Sequence, residues 1–389
     1  MRGETTMKFV IAPDSFKESL TAMQAAEAIE KGVKEVFPNA ECVLIPMADG
    51  GEGTVQSLVD ATGGEIVTCQ VTGPMGQPVK AFYGLLGDKK TAVIEMAAAS
   101  GLHLVPREQR NPLVTTTRGT GELILHALDS GVKHIILGLG GSATNDGGAG
   151  VAQALGVKLL DRNGKELGNG GGELDKLVQI DISGLDPRLQ QVTFEIACDV
   201  DNPLTGPKGA SAVFGPQKGA TPEQVALLDQ NLVHYAKKLK ECLGKDVDRI
   251  EGAGAAGGLG AGVLAFFQCE LKRGIQIVIE ATELTKHVQD ADFVITGEGR
   301  VDFQTIHGKT PIGVAKTAKL FNVPVIGIAG CVTEESKVVH EHGIDLLFPI
   351  IPHLAPLEEI LQEGSQNMER TARNVAMSLK LGAMWQKSK

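Results

Sequence analysis

Aromatic side chains are scarce in this 389-residue sequence: one Trp, two Tyr and twelve Phe, 4% in all. So few flat rings leave little for stacking on nucleic-acid bases. Basic clusters are missing too. No run of five or more Lys or Arg occurs, and 37 basic against 47 acidic residues give a formal charge of −10. Such a surface repels nucleic acid and anionic lipid. No stretch approaches about 18 uninterrupted apolar residues, which argues against a membrane-spanning helix. The opening MRGETTMKFV lacks the apolar segment of a signal peptide. Met7 leads straight into a strand pattern, so residues 1–6 read as an upstream start or a cloning remnant. The cysteines (Cys42, Cys69, Cys198, Cys242, Cys269, Cys331) are scattered, with no CxxC pair and no metal-ligand spacing. The expectation is a soluble cytoplasmic protein with reduced cysteines and small-molecule partners, engaging neither nucleic acid nor membrane.

Glycine, by contrast, is abundant: 49 residues, nearly twice the ordinary share of about 7%. There is no three-residue collagen period, and apolar strands run between the glycines, so fibre and disordered-linker readings fail. The excess points to tight turns and to places where backbone must come close to a ligand.

The chain opens strand, turn, helix, strand, turn, helix. Residues 8–12 form an apolar run ended by Pro13-Asp14-Ser15. From Ser19, a candidate N-cap, Leu20, Met23, Ala26, Ile29, Val33 and Phe37 repeat at helical spacing. A strand at 42–47 and a helix at 54–61 complete two βα units, the signature of a parallel sheet. Residues 65–95 then read as strands alone. A helix at 121–130, a strand at 133–138, a glycine loop, a helix to about residue 155, a hairpin on Asn163-Gly164 and a strand at 192–198 follow. The βα rhythm returns with strands at 292–296, 324–329 and 346–349. The economical fold is α/β: a doubly wound parallel-sheet domain of Rossmann or flavodoxin type, residues 7–62 plus 285–385, interrupted by an inserted α+β domain, 63–284.

Ligands of open α/β sheets bind at the carboxyl ends of strands. Three such ends carry polar loops: Asp14–Ser19 as numbered 14–19, Asp49-Gly50-Gly51-Glu52-Gly53-Thr54, and Gly297-Glu298-Gly299-Arg300-Val301-Asp302. The strongest feature is the segment 138–150, with six glycines in thirteen positions between a strand and a helix. Successive exposed N–H groups and the helix N-terminus would make an anion seat. For the second glycine run, 252–262, a close-packed helix start and a second phosphate seat are both open. Asp199 and Asp201 follow a strand, and phosphoryl transfer to an alcohol needs a carboxylate to take its proton and others to hold Mg²⁺. Lys17, Arg118, Lys218, Arg300 and Lys309 are scattered cations able to hold phosphate or an anionic substrate. A Walker A motif is excluded, because Phe303 stands where Gly308-Lys309-Thr310 would need its first glycine. Spacing alone therefore reaches a phosphotransferase or nucleotide-binding α/β enzyme. A dinucleotide-dependent oxidoreductase is the runner-up, on Gly138-x-Gly140-x-x-Ala143 with Asp161 as ribose-binding acid.

At this point Ile11-Ala12-Pro13-Asp14-Ser15-Phe16-Lys17-Glu18-Ser19-Leu20 resembles the opening of the bacterial type I glycerate kinases. The resemblance continues through Ala48–Thr54 (ADGGEGT), 94–102 (IEMAAASGL), 116–123 (TTRGTGEL), 140–148 (GGSATNDGG), 214–220 (FGPQKGA), 252–258 (GAGAAGG) and 296–300 (TGEGR). It spans residues 7–385. It implies transfer of the γ-phosphate of ATP to D-glycerate at its 2-hydroxyl with Mg²⁺, two α/β domains with the active site between them, and a place in glycerate or sugar-acid catabolism.

Joined to the residue reading, the expectation is as follows. Gly140, Gly141, Ser142, Asn145, Gly147 and Gly148 cradle ATP, with Asp146 near Mg²⁺. Asp199 or Asp201 accepts the hydroxyl proton, and Lys17, Arg118 and Arg300 hold the glycerate carboxylate and the transferring phosphate. Ser15, Asp49 and Arg118 line the substrate. The alternatives are 3-phosphoglycerate as product, the oxidoreductase above, or a small-acid sensor. Oligomeric state is not encoded in any motif.

Overall fold

The structure, a computed structural model, describes residues 6–387. The reading of residues 1–6 therefore lies outside it, but for Thr6. Among the described residues thirteen strands follow one another: β1 (Lys8–Ile11), β2 (Glu41–Leu44), β3 (Glu65–Thr72), β4 (Pro78–Leu85), β5 (Thr91–Glu95), β6 (His134–Gly138), β7 (Lys158–Leu160), β8 (Gln179–Asp181), β9 (Thr193–Ala197), β10 (Cys269–Lys272), β11 (Phe293–Val301), β12 (Val325–Val332) and β13 (Leu346–Pro349). Contacts divide the chain into two compact units. One is Met1–Asp49 with Gln56–Thr62 and Ile275–Lys389; the other is Gly50–Val55 with Gly63–Gly274. The second boundary falls after Gly274 rather than after residue 284, and the acidic glycine segment 50–55 goes with the second unit.

In the first unit β13-β12-β11-β1-β2 form one sheet, parallel throughout. Counted within the unit this is the order 2-1-3-4-5, the flavodoxin-like doubly wound arrangement, whose switch point lies between β1 and β11. Phe9, Val10 and Ile11 are all fully buried, as expected of a parallel strand covered on both faces. The helix Ala22–Val36 packs its apolar stripe on this sheet and on the helix Gly364–Lys387. Its N-cap is Thr21, in a reciprocal capping box with Gln24. The expected cap, Ser19, instead donates its hydroxyl to the Leu361 carbonyl. β11 also corrects the sequence reading, which ended that strand at Thr296. The strand runs on through Gly297-Glu298-Gly299-Arg300, paired with β12. A Cβ at Gly297 would lie 1.8 Å from the Ile328 carbonyl oxygen, so a residue poor in strand propensity is the one that permits the pairing.

The second unit holds a six-stranded mixed sheet, β10-β9-β6-β5-β4-β3. β3, β4 and β5 pair antiparallel, and β5, β6, β9 and β10 run parallel. Its core gathers Tyr83, Ile94, Leu123, Ile135, Leu137 and Ile196. The Asn163-Gly164 turn forms, but β7 takes its ladder partner from β8. Asp161 spends its carboxylate on the Asn163 and Lys165 N–H groups of that turn. This removes the ribose-binding acid of the oxidoreductase reading. No described helix is long and apolar enough to cross a membrane.

Candidate active site

In the first unit, side chains collect at the carboxyl ends of β1 and β11. The Asp14 N–H donates to the Gly297 carbonyl, which fixes the carboxylate where the strands diverge. Its Oδ1 accepts the Ser15 N–H at 2.6 Å and the Ser15 hydroxyl at 3.3 Å. Its Oδ2 accepts the hydroxyl of buried Thr310 at 2.5 Å. Burial, with the charge of Asp49 adding to it, pushes the Asp14 carboxyl up to about 6 despite these bonds. Glu298 projects from β11, accepts the Thr305 hydroxyl at 2.6 Å and lies 3.5 Å from the Lys309 ammonium. Burial pushes it up to about 7. Two carboxyls that change protonation near neutrality, set among hydroxyls, can exchange protons at working pH. Ser15 and Asp49 are thus brought to a carboxylate that the sequence reading quoted but gave no role. Lys17 is exposed on the turn after β1, and exposed Arg300 lies 3.3 Å from Asp302.

In the second unit the glycine segment 138–150 splits into an open half and a closed half. Gly138, Gly140 and Gly141 line a cavity of about 290 Å³ together with Phe82, Ala97 and Leu104. From Ser142 onward the backbone is buried. A Cβ on Gly147 would lie 2.8 Å from the Tyr235 ring, and one on Gly148 3.0 Å from Leu259. The Gly147 N–H bonds to the Gly257 carbonyl, and a Cβ on Gly262 would lie 2.6 Å from the Gly147 carbonyl oxygen, so the two glycine runs pack on each other. Asp146 is fully buried and accepts from the Thr117 N–H and hydroxyl and from the Gly148 and Gly150 N–H groups. The anion expected at this short helix start is therefore the protein's own. Of the residues expected in an ATP cradle, Gly147 and Gly148 spend their N–H groups on the Gly257 carbonyl and on Asp146 Oδ1, and Asn145 is buried. Asp146, expected near Mg²⁺, has three of these protein donors on Oδ2 and one on Oδ1. Asn145 donates to the Ser211 hydroxyl at 3.0 Å.

Lys218 closes the loop from beneath. It is 1% exposed, and its ammonium donates to the Ser142 hydroxyl at 2.7 Å and the Thr144 carbonyl at 2.6 Å. Burial lowers its pKa to about 7, with Asp146 the charged neighbour pulling the other way. An unfolded lysine keeps its proton up to about 10.5. Stability from this group is therefore full above about 10.5 and is lost as pH falls toward about 7, where both states are charged. We expect Lys218→Met to cost more stability at pH 10 than at pH 7. Denaturant midpoints across that range check this, and a difference that is flat with pH would refute it.

Asp199 and Asp201, expected as proton acceptors, are exposed. Asp199 Oδ1 accepts the Gly274 N–H at 3.1 Å, and Asp201 is paired with Arg273 at 2.8 Å. Arg118 opens the helix Arg118–Asp129 and leans on Glu122 at 3.4 Å; Glu122 in turn holds the Thr72 N–H and hydroxyl. No described group of three or more His, Cys, Asp or Glu is arranged to hold a metal ion.

Comparison with known proteins agrees with the resemblance found in the motifs. Residues 9–380 match the model of the glycerate kinase family. A glycerate kinase of Bacillus subtilis (strain 168) is 64% identical over 96% of this chain and 98% of its own. A glycerate 2-kinase of Escherichia coli (strain K12) is 57% identical over 97% and 99%. A crystal structure of a putative glycerate kinase 2 from Salmonella typhimurium LT2 superimposes with a TM-score of 0.91 at 57% identity, covering 98% of this chain and 100% of that one. Similarity at this level along the whole length of both partners places the chain in the glycerate kinase family.

Proposed function

We propose that this protein transfers the γ-phosphate of ATP to the 2-hydroxyl of D-glycerate, giving 2-phospho-D-glycerate and ADP in the cytoplasm. The observation that carries the reading is the near full-length likeness to proteins named glycerate kinase, one of them glycerate 2-kinase. Six free cysteines suit the reducing compartment.

Within the first unit, Asp14 takes the role of proton acceptor for the glycerate hydroxyl. A carboxylate with a pKa about one unit below neutrality is mostly ionised at pH 7 yet basic enough to take a proton in the transition state. Ser15 orients it, and exposed Lys17 and Arg300 hold the substrate carboxylate or the transferring phosphate. Asp14 and Asp49 lie near enough for one charge to disfavour the other, a repulsion that a divalent cation relieves. The residues therefore fit Mg²⁺ held by Asp49, since this ion binds through one or two carboxylates plus substrate phosphates. When bound it would neutralise charge on the phosphates. Within the second unit, the Gly140 and Gly141 backbone meets the nucleotide, Ser142 serves through the Lys218 bond, and Arg118 stays a candidate for substrate charge.

The test is ADP release that depends on D-glycerate, followed by phosphorus NMR of the product. A doublet from one coupled proton marks the 2-ester, whereas a triplet from two would assign the 3-ester. Reduction of a nicotinamide cofactor without ADP formation would replace the kinase reading with the oxidoreductase.

A further inference from the structure

We propose that the cavity of the second unit is the seat of the nucleoside half of the nucleotide, its base against Phe82 and its ribose hydroxyls on the neighbouring carboxylates. The inference rests on the kinase reading and deepens it by dividing the nucleotide into parts. Strand alternation in β4 turns Ala81 and Tyr83 into the core, at 1% and 0% exposure. The same alternation turns Lys80 and Phe82 to the opposite face of the sheet. Phe82 keeps 37% of its surface exposed although it lies on an inner strand. Beside it stand Ala97, Leu104 and glycine backbone from two segments, 50–51 and 138–141. An exposed apolar ring in a cavity partly lined by backbone that carries no side chains leaves room for a planar base.

Volume and charge narrow the occupant. About 290 Å³ is the share of roughly ten water molecules, more than a three-carbon acid fills and near the lower end of small-molecule sites. Glu52, Glu95, Lys80 and His103 all line the cavity, so the wall carries no excess of positive charge. Such a wall is unsuited to a triphosphate and suits a neutral moiety with hydroxyls to donate. Carboxylates accept ribose hydroxyls in other nucleotide sites for this reason. Glu95 is held by the Val55 N–H at 2.9 Å and by the Gly53 and Thr54 N–H groups, which leaves its remaining lone pairs and exposed Glu52 to accept the ribose hydroxyls. The phosphates would then leave along Gly140 and Gly141.

The test is calorimetric titration of the full-length protein with ATP, and separately with adenosine, for the native chain, Phe82→Ala and Ala97→Leu. Base–aromatic stacking is lost in the first variant and the cavity is filled in the second. Each should weaken ATP about tenfold or more and remove adenosine binding, while KM for D-glycerate stays within about twofold. Melting curves confirm that both variants fold; half-exposed Phe82 makes the first the safer of the two. Unchanged ATP affinity in both variants would overturn the assignment, as would a raised KM for glycerate with ATP affinity intact. If the native chain fails to phosphorylate glycerate but ATP and adenosine binding respond as stated, the substrate reading falls and the nucleoside seat stands.

Discussion

Asparagine at position 14 is expected to lower kcat by about a hundredfold or more while leaving the fold slightly more stable at pH 7.5. Both effects have one cause. The carboxylate is ionised at a site that disfavours its charge, so its pKa stands at about 6 instead of 3.8. Above about pH 6 the ionised group costs folded-state stability, and the cost is relieved as pH falls from about 6 toward 3.8. Asparagine removes that cost. Its carbonyl can still accept the Ser15 N–H, and its amide can donate to the Thr310 hydroxyl, so the geometry survives. The acidic limb of the rate profile near pH 6 should disappear with the carboxyl. Asp199→Asn, which alters an exposed side chain tied to Gly274, should change kcat less than about threefold. A variant at 14 that keeps kcat within threefold, or a collapse in the one at 199, would return the role to Asp199.

Gly257→Ala should be strongly destabilising. Gly257 has φ +68°, and an added Cβ would lie 1.9 Å from the Thr144 carbonyl oxygen and 2.7 Å from Asn145 Cα. Left-handed backbone costs a residue with a Cβ about 1–2 kcal/mol, and forced repacking adds about 1–3 kcal/mol. The sum, about 2–5 kcal/mol, is a large part of ordinary domain stability. Gly244→Ala isolates the first cost. Gly244 has φ +70° at a helix end, with nothing within 4 Å of the added atom. We expect the melting midpoint to fall by several degrees for the variant at 257 and clearly less for the one at 244. Equal midpoints would mean that the glycine runs do not pack as tightly as their backbones indicate.

What the sequence made legible was local. Apolar runs marked β1, β2, β12 and β13, and helical spacing marked the helix Ala22–Val36, because each signal is carried within a few residues. The end of β11 was hidden, since Gly297 and Gly299 look like loop residues until the carbonyl of Ile328 is seen against Gly297 and the Phe16 backbone beside Gly299. The segment 138–150 was recognisable as unusual, but its purpose was not. The partner that closes it, 252–262, is a hundred residues away, and only the fold shows that the two pack on each other. Lys218 was countable as a cation, whereas its burial beneath Ser142 and Thr144 is a tertiary fact. Asp14 was in view beside Ser15, and what the sequence could not supply was the desolvation that makes its chemistry differ from that of Asp199.

Asp146 gives the glycine loop a history as well as a shape. Its oxygens engage four donors from Thr117, Gly148 and Gly150 within the protein itself. The loop's backbone freedom is therefore surrendered when the chain folds, not when a ligand arrives. A loop of bare glycines ordered only by a nucleotide would subtract that ordering entropy from every binding event. Here Gly140 and Gly141 stand at the end of an already ordered segment, so the nucleotide proposed for them would meet a surface whose entropic cost was met once, during folding.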